Sequence, residues 1–312
     1  MINVSTRPLG HSGIQTSVVG LGCNNFGRRL DQAQTRAVLD AAIEAGITFL
    51  DTADRYGDTL SESFMGEALK GRRDQVVLAT KFGLDLGDDS APSSPRGGAE
   101  YIHYAIENSL RRLQTDFIDV YWYHRPDGVT PIGDTLEALD GLVKEGKIRA
   151  IGASNFSAEM IQEADSIAGE RGLTPFTAIQ NEYSLLVREA EADVIPLCEH
   201  LGIAFIPYFP LASGLLTGKY ERGAAAPTGT RLAGRDQVAT DAQWDTVEAL
   251  TAYAEQRDLT LTQVAIGALL AQPAVPSVIA GATNPEQIAA NAAAAAWSPS
   301  AADLEALKQL LG

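Results

Sequence analysis

The sequence predicts a (β/α)8 barrel on three observations: eight short apolar runs, helical patterns between them, and polar residues gathered where the runs end. The runs are "VVGLG" from Val18, "ITFLDTA" from Ile47, "VVLATKF" from Val76, "FIDVYWYH" from Phe117, "IRAIGASN" from Ile148, "FTAIQNEY" from Phe176, "IAFIPYFP" from Ile203 and "SVIAGAT" from Ser277. Their β-branched and aromatic content reads as buried strand. Strand-then-helix alternation implies parallel strands joined by right-handed crossovers. Eight such units fit a closed barrel, which takes about 250 residues plus insertions as one domain, so residues 1–312 are read as a single barrel domain. An open doubly wound sheet is the alternative. It would need a Gly-x-Gly-x-x-Gly phosphate loop after the first strand, and Gly20, Gly22 and Gly27 have the wrong spacing.

In chain order, "RPLGHSGIQTS" comes first and reads as a β-hairpin closing the bottom of the barrel. Asp31 then caps a helix over 32–45, Ser61 one running to Lys70 and Ser157 one running to Ala168, each by accepting a bond from an orphan N–H of the first turn. "GITFL", "GKIRA" and "GIAFI" each put a glycine just before a strand, where a helix end favours left-handed backbone. Two segments exceed the repeat. Residues 212–240 are a long insertion after the seventh strand, read as a lid because loops after barrel strands lie at the catalytic face; residues 298–311 form an extra C-terminal helix. The alanine run at 289–296 follows from helix propensity alone.

Composition excludes several functions. A formal charge of −16, from 24 basic and 40 acidic residues, argues against a nucleic-acid or anionic membrane surface. Cys23 and Cys198 are too far apart for zinc-knuckle spacing or a disulfide framework, so no metal site is expected and a reducing, cytoplasmic setting is. The first residues lack a basic segment followed by an apolar run, and no stretch of about twenty apolar residues occurs. Composition specifies no oligomeric state.

The strand ends carry the chemistry. In a barrel they converge on one face. Asp51 ends the second strand and leads to Tyr56; Lys81 ends the third and His124 the fourth. Ser154 and Asn155 end the fifth, Gln180 and Asn181 lie on the sixth, and Tyr208 lies on the seventh. Singly, Lys81 reads as a snorkelling lysine, His124 as a structural histidine and Tyr56 as a loop tyrosine. Together at one rim, Asp, Tyr, Lys and His make a proton-transfer set.

The stretches "FLDTADRYGD", "LATKFG", "YWYHRPD", "IGASNF" and "QNEYS" resemble the aldo-keto reductases, in family order, over about Leu9 to Asn291. The resemblance implies a (β/α)8 barrel with Asp51, Tyr56, Lys81 and His124 as the catalytic tetrad of a nicotinamide-dependent carbonyl reductase. Hydride attack on a carbonyl leaves charge on oxygen, which needs an aimed donor and a proton. Tyr56 is the acid; Lys81 is expected to lower its pKa, Asp51 to hold Lys81, and His124 to orient the carbonyl. The same resemblance puts Ser154, Asn155 and Gln180 on the nicotinamide carboxamide and Tyr208 on its ring. It puts Gly22, Cys23 and Asn24 beside the cofactor, Pro210, Leu211, Gly214 and Leu215 along the pyrophosphate, and Gly281, Ala282, Thr283, Asn284, Gln287 and Asn291 at the adenosine end.

One departure concerns the cofactor. Many members read the 2′-phosphate of NADPH with a basic residue in the loop that here reads "GATN", which has none; Lys219, Arg231 or Arg235 on the insertion are the candidates to supply that charge. NADPH is therefore expected, with NADH as the alternative. Phe26 and Trp122 read equally as an aromatic-walled pocket for a small carbonyl substrate or as barrel packing. Two other functions are carried forward: an aldose or alcohol dehydrogenase running oxidatively, and a non-catalytic nucleotide-sensing subunit like the β subunits of potassium channels.

Overall fold

A computed structural model describes residues 4–235 and 237–312. Strands β1 (Thr6–Pro8) and β2 (Gln15–Ser17) pair antiparallel, with Thr6 opposite Ser17 and Pro8 opposite Gln15. The turn between them carries Leu9 and Ile14, both buried among residues that fill the barrel. The expected hairpin thus plugs one end.

Eight parallel strands follow: β3 (Val19–Gly22), β4 (Phe49–Asp51), β5 (Val77–Phe82), β6 (Ile118–Tyr123), β7 (Ile148–Ser154), β8 (Ala178–Gln180), β9 (Ala204–Phe205) and β10 (Val278–Gly281). Their order is β10-β3-β4-β5-β6-β7-β8-β9. The ring closes just beyond β9, where Tyr208 bridges Ile279 and the Ile279 N–H donates to the Pro207 carbonyl at 3.1 Å. All eight apolar runs of the sequence are strands of this barrel.

Helices α1 (Gln32–Glu44), α2 (Leu60–Ala68), α3 (Ala99–Leu113), α4 (Ile132–Lys144), α5 (Ala158–Arg171), α6 (Val194–Leu201), α7 (Asp241–Glu255), α8 (Leu261–Leu270) and α9 (Pro285–Ala294) surround the strands, and α10 (Ala301–Leu311) is the extra C-terminal helix. Asp31 caps α1 in a reciprocal capping box with Gln34, and Ser157 caps α5. Gly46, Gly146 and Gly202 take left-handed backbone at the expected helix ends. Ser61 does not cap α2. The helix starts two residues earlier, after Thr59, and Ser61 is buried inside it with its hydroxyl 2.8 Å from that of Thr52 and 3.0 Å from the Cys23 carbonyl. A hydroxyl with two buried partners is held by them rather than by the helix end.

Period-two alternation decides what faces inward. Phe49, Ala79, Val120, Ala150, Ala178, Ala204 and Ile279 pack together inside the barrel; Leu50, Leu78, Tyr121, Ile151, Ile179 and Val278 face the helices. Asp51, Lys81, Ser154 and Gln180 share the inward parity, one step nearer the C-terminal rim. Trp122 fills the barrel between Lys81 and Gly152, its register partners. A Cβ on Gly152 would lie 2.4 Å from the indole, so the glycine makes room for it.

The 212–240 insertion is not a free flap. A short 3-10 segment, Ala212–Thr217, opens it, and Leu215, Leu216, Tyr220 and Leu232 pack with Trp244, Leu250 and Val264 of α7 and α8 in a second core.

Candidate functional site

Asp51, at the end of β4, and Lys81, on β5, meet inside the rim. The Lys81 ammonium donates to the Asp51 carboxylate at 2.5 Å and to the Thr52 carbonyl at 2.8 Å; both side chains are almost wholly buried. The second Asp51 oxygen accepts from the Gln180 amide at 3.1 Å. Lys81 lies 3.4 Å from the Tyr56 hydroxyl. The Tyr56 ring meets His124 edge to face, centroids 6.0 Å apart. Five residues from the ends of β4, β5, β6 and β8 and the loop after β4 thus form one contact chain, from Gln180 and Asp51 through Lys81 to Tyr56 and His124.

Two loops fix the tyrosine. The loop after β4 turns through Gly57, at φ +58°, where a Cβ would sit 2.4 Å from the Phe26 carbonyl of the loop after β3. That contact needs glycine on both steric and conformational grounds. Phe26 is fully buried with the outer core and Trp122 with the residues that fill the barrel.

Electrostatics assigns the protons. Burial works against the Lys81 charge, but the Asp51 carboxylate and Tyr56 outweigh it and raise its pKa, so the ammonium persists. Tyr56 departs from expectation. Burial raises its pKa above 10.0 by more than Lys81 lowers it, and the phenol keeps its proton. His124 is driven to about 3, first by burial and then by the charges of Lys81, Arg125 and Arg55. Its imidazole is neutral at pH 7 and its buried Nδ1 has no partner among the described residues.

The remaining rim residues divide by what they already hold. Asn155, in left-handed backbone at φ 62°, donates to the His124 carbonyl (2.9 Å) and to Ser154 Oγ (3.1 Å), and accepts from the Tyr208 hydroxyl (2.7 Å). Asn181 clamps that strained backbone: its carbonyl accepts from the Asn155 N–H at 2.7 Å and its amide donates to Phe156. Sequence reading put Asn181 at the rim without a role; only the left-handed Asn155 reveals one. Phe209, Ala212 and Ser213 are also left-handed, beside Pro210, Leu211 and Gly214. Non-glycine residues held there cost of order 1–3 kcal/mol each and mark ligand clamps.

Across the rim, Gly22 ends β3 beside Gly281 of β10, with Asn24 close by, while Cys23 is fully buried and donates its N–H to the Asp51 carbonyl at 2.9 Å. Asn25 donates to the Ala282 carbonyl at 3.3 Å and so ties the first loop to the last. Asn284 caps α9, and Gln287 turns back to the Thr283 N–H at 2.8 Å. Asn291 is buried, its amide 3.5 Å from the Gly281 carbonyl. Leu215 lies in the second core; Lys219 is exposed and lies over Tyr220 at 5.2 Å. Arg231 lies over Phe209 at 4.4 Å, and Arg29 reaches the Gly229 carbonyl, drawing the insertion toward the loop after β3.

These groups fit a nicotinamide dinucleotide. Hydroxyl and amide side chains at Ser154 and Asn155 match the donor and acceptor of a carboxamide, an aromatic ring stands beside them at Tyr208, the unpartnered His124 Nδ1 awaits a polar neighbour, and cationic side chains flank the insertion.

Comparison with known proteins identifies the family. The family model described as "Aldo/keto reductase family" matches residues 18–311. A rice protein (Oryza sativa subsp. japonica) named probable voltage-gated potassium channel subunit beta is 34% identical over 298 residues, covering 91% of this chain and 89% of its own. The solved structure of aldo-keto reductase AKR11C1 from Bacillus halodurans, in its holo form, superposes with a TM-score of 0.80 at 32% identity, covering 99% of this chain and 96% of that one.

Proposed function

Because the chain belongs to the aldo/keto reductase family of oxidoreductases, we propose that it reduces an aldehyde or ketone to the alcohol with NADPH, Tyr56 acting as the acid. One observation carries the reading: the Tyr56 hydroxyl stands 3.4 Å from a lysine whose charge a buried aspartate holds in place. Bound nicotinamide would supply the hydride. Tyr56 would protonate the developing alkoxide, Lys81 would stabilise the phenolate left behind, and neutral His124 would direct the carbonyl oxygen. Ser154 and Asn155 would hold the carboxamide. Gln180 would act through Asp51, to which its amide is already bonded. Lys219 and Arg231 would supply the charge that "GATN" lacks, which favours NADPH over NADH.

Replacing Tyr56 by Phe tests this directly. Loss of a positioned acid is expected to slow turnover of an aromatic aldehyde by about 10²–10⁴-fold, assayed with NADPH and NADH in parallel. Equal rates in the parent and Tyr56→Phe would end the reading. The likeness to a protein named as a channel β subunit favours a second function, nucleotide-responsive regulation. Tight cofactor binding with no turnover of any carbonyl would select it.

A further inference from the structure

We propose that the carbonyl substrate carries an anionic group, a carboxylate or a phosphate, received by Arg55 and Arg125 at the barrel mouth. This rests on the reductase reading and names its substrate class. In a chain of net charge −16, acidic groups outnumber basic ones, and 13 of the 24 basic residues form ion pairs among the described residues. Arg72, Arg73, Arg112 and Arg149, away from the mouth, are among those paired, whereas Arg7, Arg111 and Arg171 are not. Yet the loops after β3, β4, β6 and β9 bring Arg28, Arg29, Arg55, Arg125 and Arg231 to the catalytic face, and among the described residues none of the five is in an ion pair.

Position divides the five. Arg29 and Arg231 engage the insertion, through Gly229 and Phe209, on the side read as holding the dinucleotide phosphates. Arg55 and Arg125 are instead the chain neighbours of Tyr56 and His124, the two groups that face the reacting carbonyl. Both are exposed.

Three carboxylates on the nearby loops are already engaged. Asp85 is bound by Arg96 at 2.6 Å, so Arg55 reaches only its backbone carbonyl. Asp88 is held by Ser90 and Tyr104, and Asp127 by Gly97 and Thr130. Asp58 and Glu182 form no ion pair with either arginine. Arg125 makes no side-chain hydrogen bond among the described residues, so its planar donor fork is available to a carboxylate or phosphate. Charge at a mouth also raises capture rate, an effect that salt screens.

The test compares 3-(4-formylphenyl)propanoate with its uncharged methyl ester, in which two methylene groups insulate the aldehyde from the change of charge so that shape and carbonyl reactivity are nearly matched. At low ionic strength kcat/KM is expected to favour the carboxylate by about tenfold or more, the preference shrinking at high salt. In R55Q and R125Q that ratio is expected to fall toward one, while R36Q, on the outer helix α1, keeps it. A phosphorylated short-chain aldehyde against its unphosphorylated parent separates phosphate from carboxylate. A parent enzyme that takes the ester equally well or better, or a ratio that survives the double R55Q/R125Q variant, overturns the proposal. Calorimetric binding of the same two compounds separates the two readings. Tighter carboxylate binding with neither aldehyde reduced would uphold the arginine site while removing the reductase function, and equal binding would remove the site.

Discussion

His124 carries a neutral imidazole because its ring is buried beside one ammonium and within reach of two guanidinium groups, and all of these oppose a further positive charge. Tyr56 keeps its proton for a related reason: the site penalises phenolate by burial more than Lys81 favours it. A neutral donor and a protonated acid are what carbonyl reduction asks for, and the pH profile should show it. With His124 at about 3 and Tyr56 above 10.0, kcat/KM for reduction is expected to stay flat from about pH 5 to about pH 9 and to fall only beyond that. A descending limb centred between about pH 7 and 8 would mean that the lysine wins and the phenol is acidified. The same histidine links stability to pH. Its folded pKa lies below its ordinary 6.5, so the unfolded chain takes up the proton first, and the stability it confers above pH 6.5 is lost as the pH falls from there toward about 3.

At the scale of elements, the site depends on loops pressed together at backbone distance. Gly57 is the tightest such point beside Tyr56, and Gly57→Ala should separate activity from stability. A left-handed alanine costs about 1–2 kcal/mol wherever it occurs, which Gly71→Ala measures on its own, because Gly71 is left-handed at φ +74° with open space around it. At Gly57 the new Cβ also meets the Phe26 carbonyl and must displace the turn that carries the tyrosine. The expected result is a larger loss of Tm in Gly57→Ala than in Gly71→Ala and, at a temperature where both variants remain folded, a loss of about 10²-fold in kcat/KM in Gly57→Ala alone. Parent-like kcat/KM in Gly57→Ala would show that the loop adjusts without moving Tyr56.

The same elements explain what was legible in the sequence. Strands announce themselves because a buried β-run alternates by two, and that parity also carries Asp51, Lys81, Ser154 and Gln180 to the inside. Helix starts were legible where one capping residue stood alone, as at Asp31 and Ser157. At "DTLSES" Thr59 and Ser61 compete, and the burial of Ser61 against Thr52 is a tertiary fact. The Asn181 clamp was hidden for the same reason, since no local pattern marks Asn155 as left-handed. The insertion read as a lid from its position after a barrel strand; its packing against Trp244, Leu250 and Val264 of α7 and α8 is a tertiary fact with no local pattern to mark it.

The whole molecule combines a strongly acidic exterior with a cationic mouth, and salt should act on the two in opposite directions. Excess like charge of −16 repels itself in the compact state, a penalty that screening relieves. Exposed ion pairs such as Lys70 with Glu67 and Arg222 with Asp241, Asp245 and Glu248 offset little of it, each worth at most about 1 kcal/mol in water. Raising the ionic strength from about 0.01 to 0.15 M shortens the Debye length from roughly 30 to 8 Å, which separates most surface carboxylates from one another electrically. The melting temperature is therefore expected to rise by a few degrees over that interval while capture of the anionic aldehyde weakens, both measured on the same samples. A melting temperature that falls with salt would mean that surface ion pairs outweigh the net repulsion, and the acidic excess would then have to be distributed among cations far more evenly than the unpaired arginines at the mouth imply.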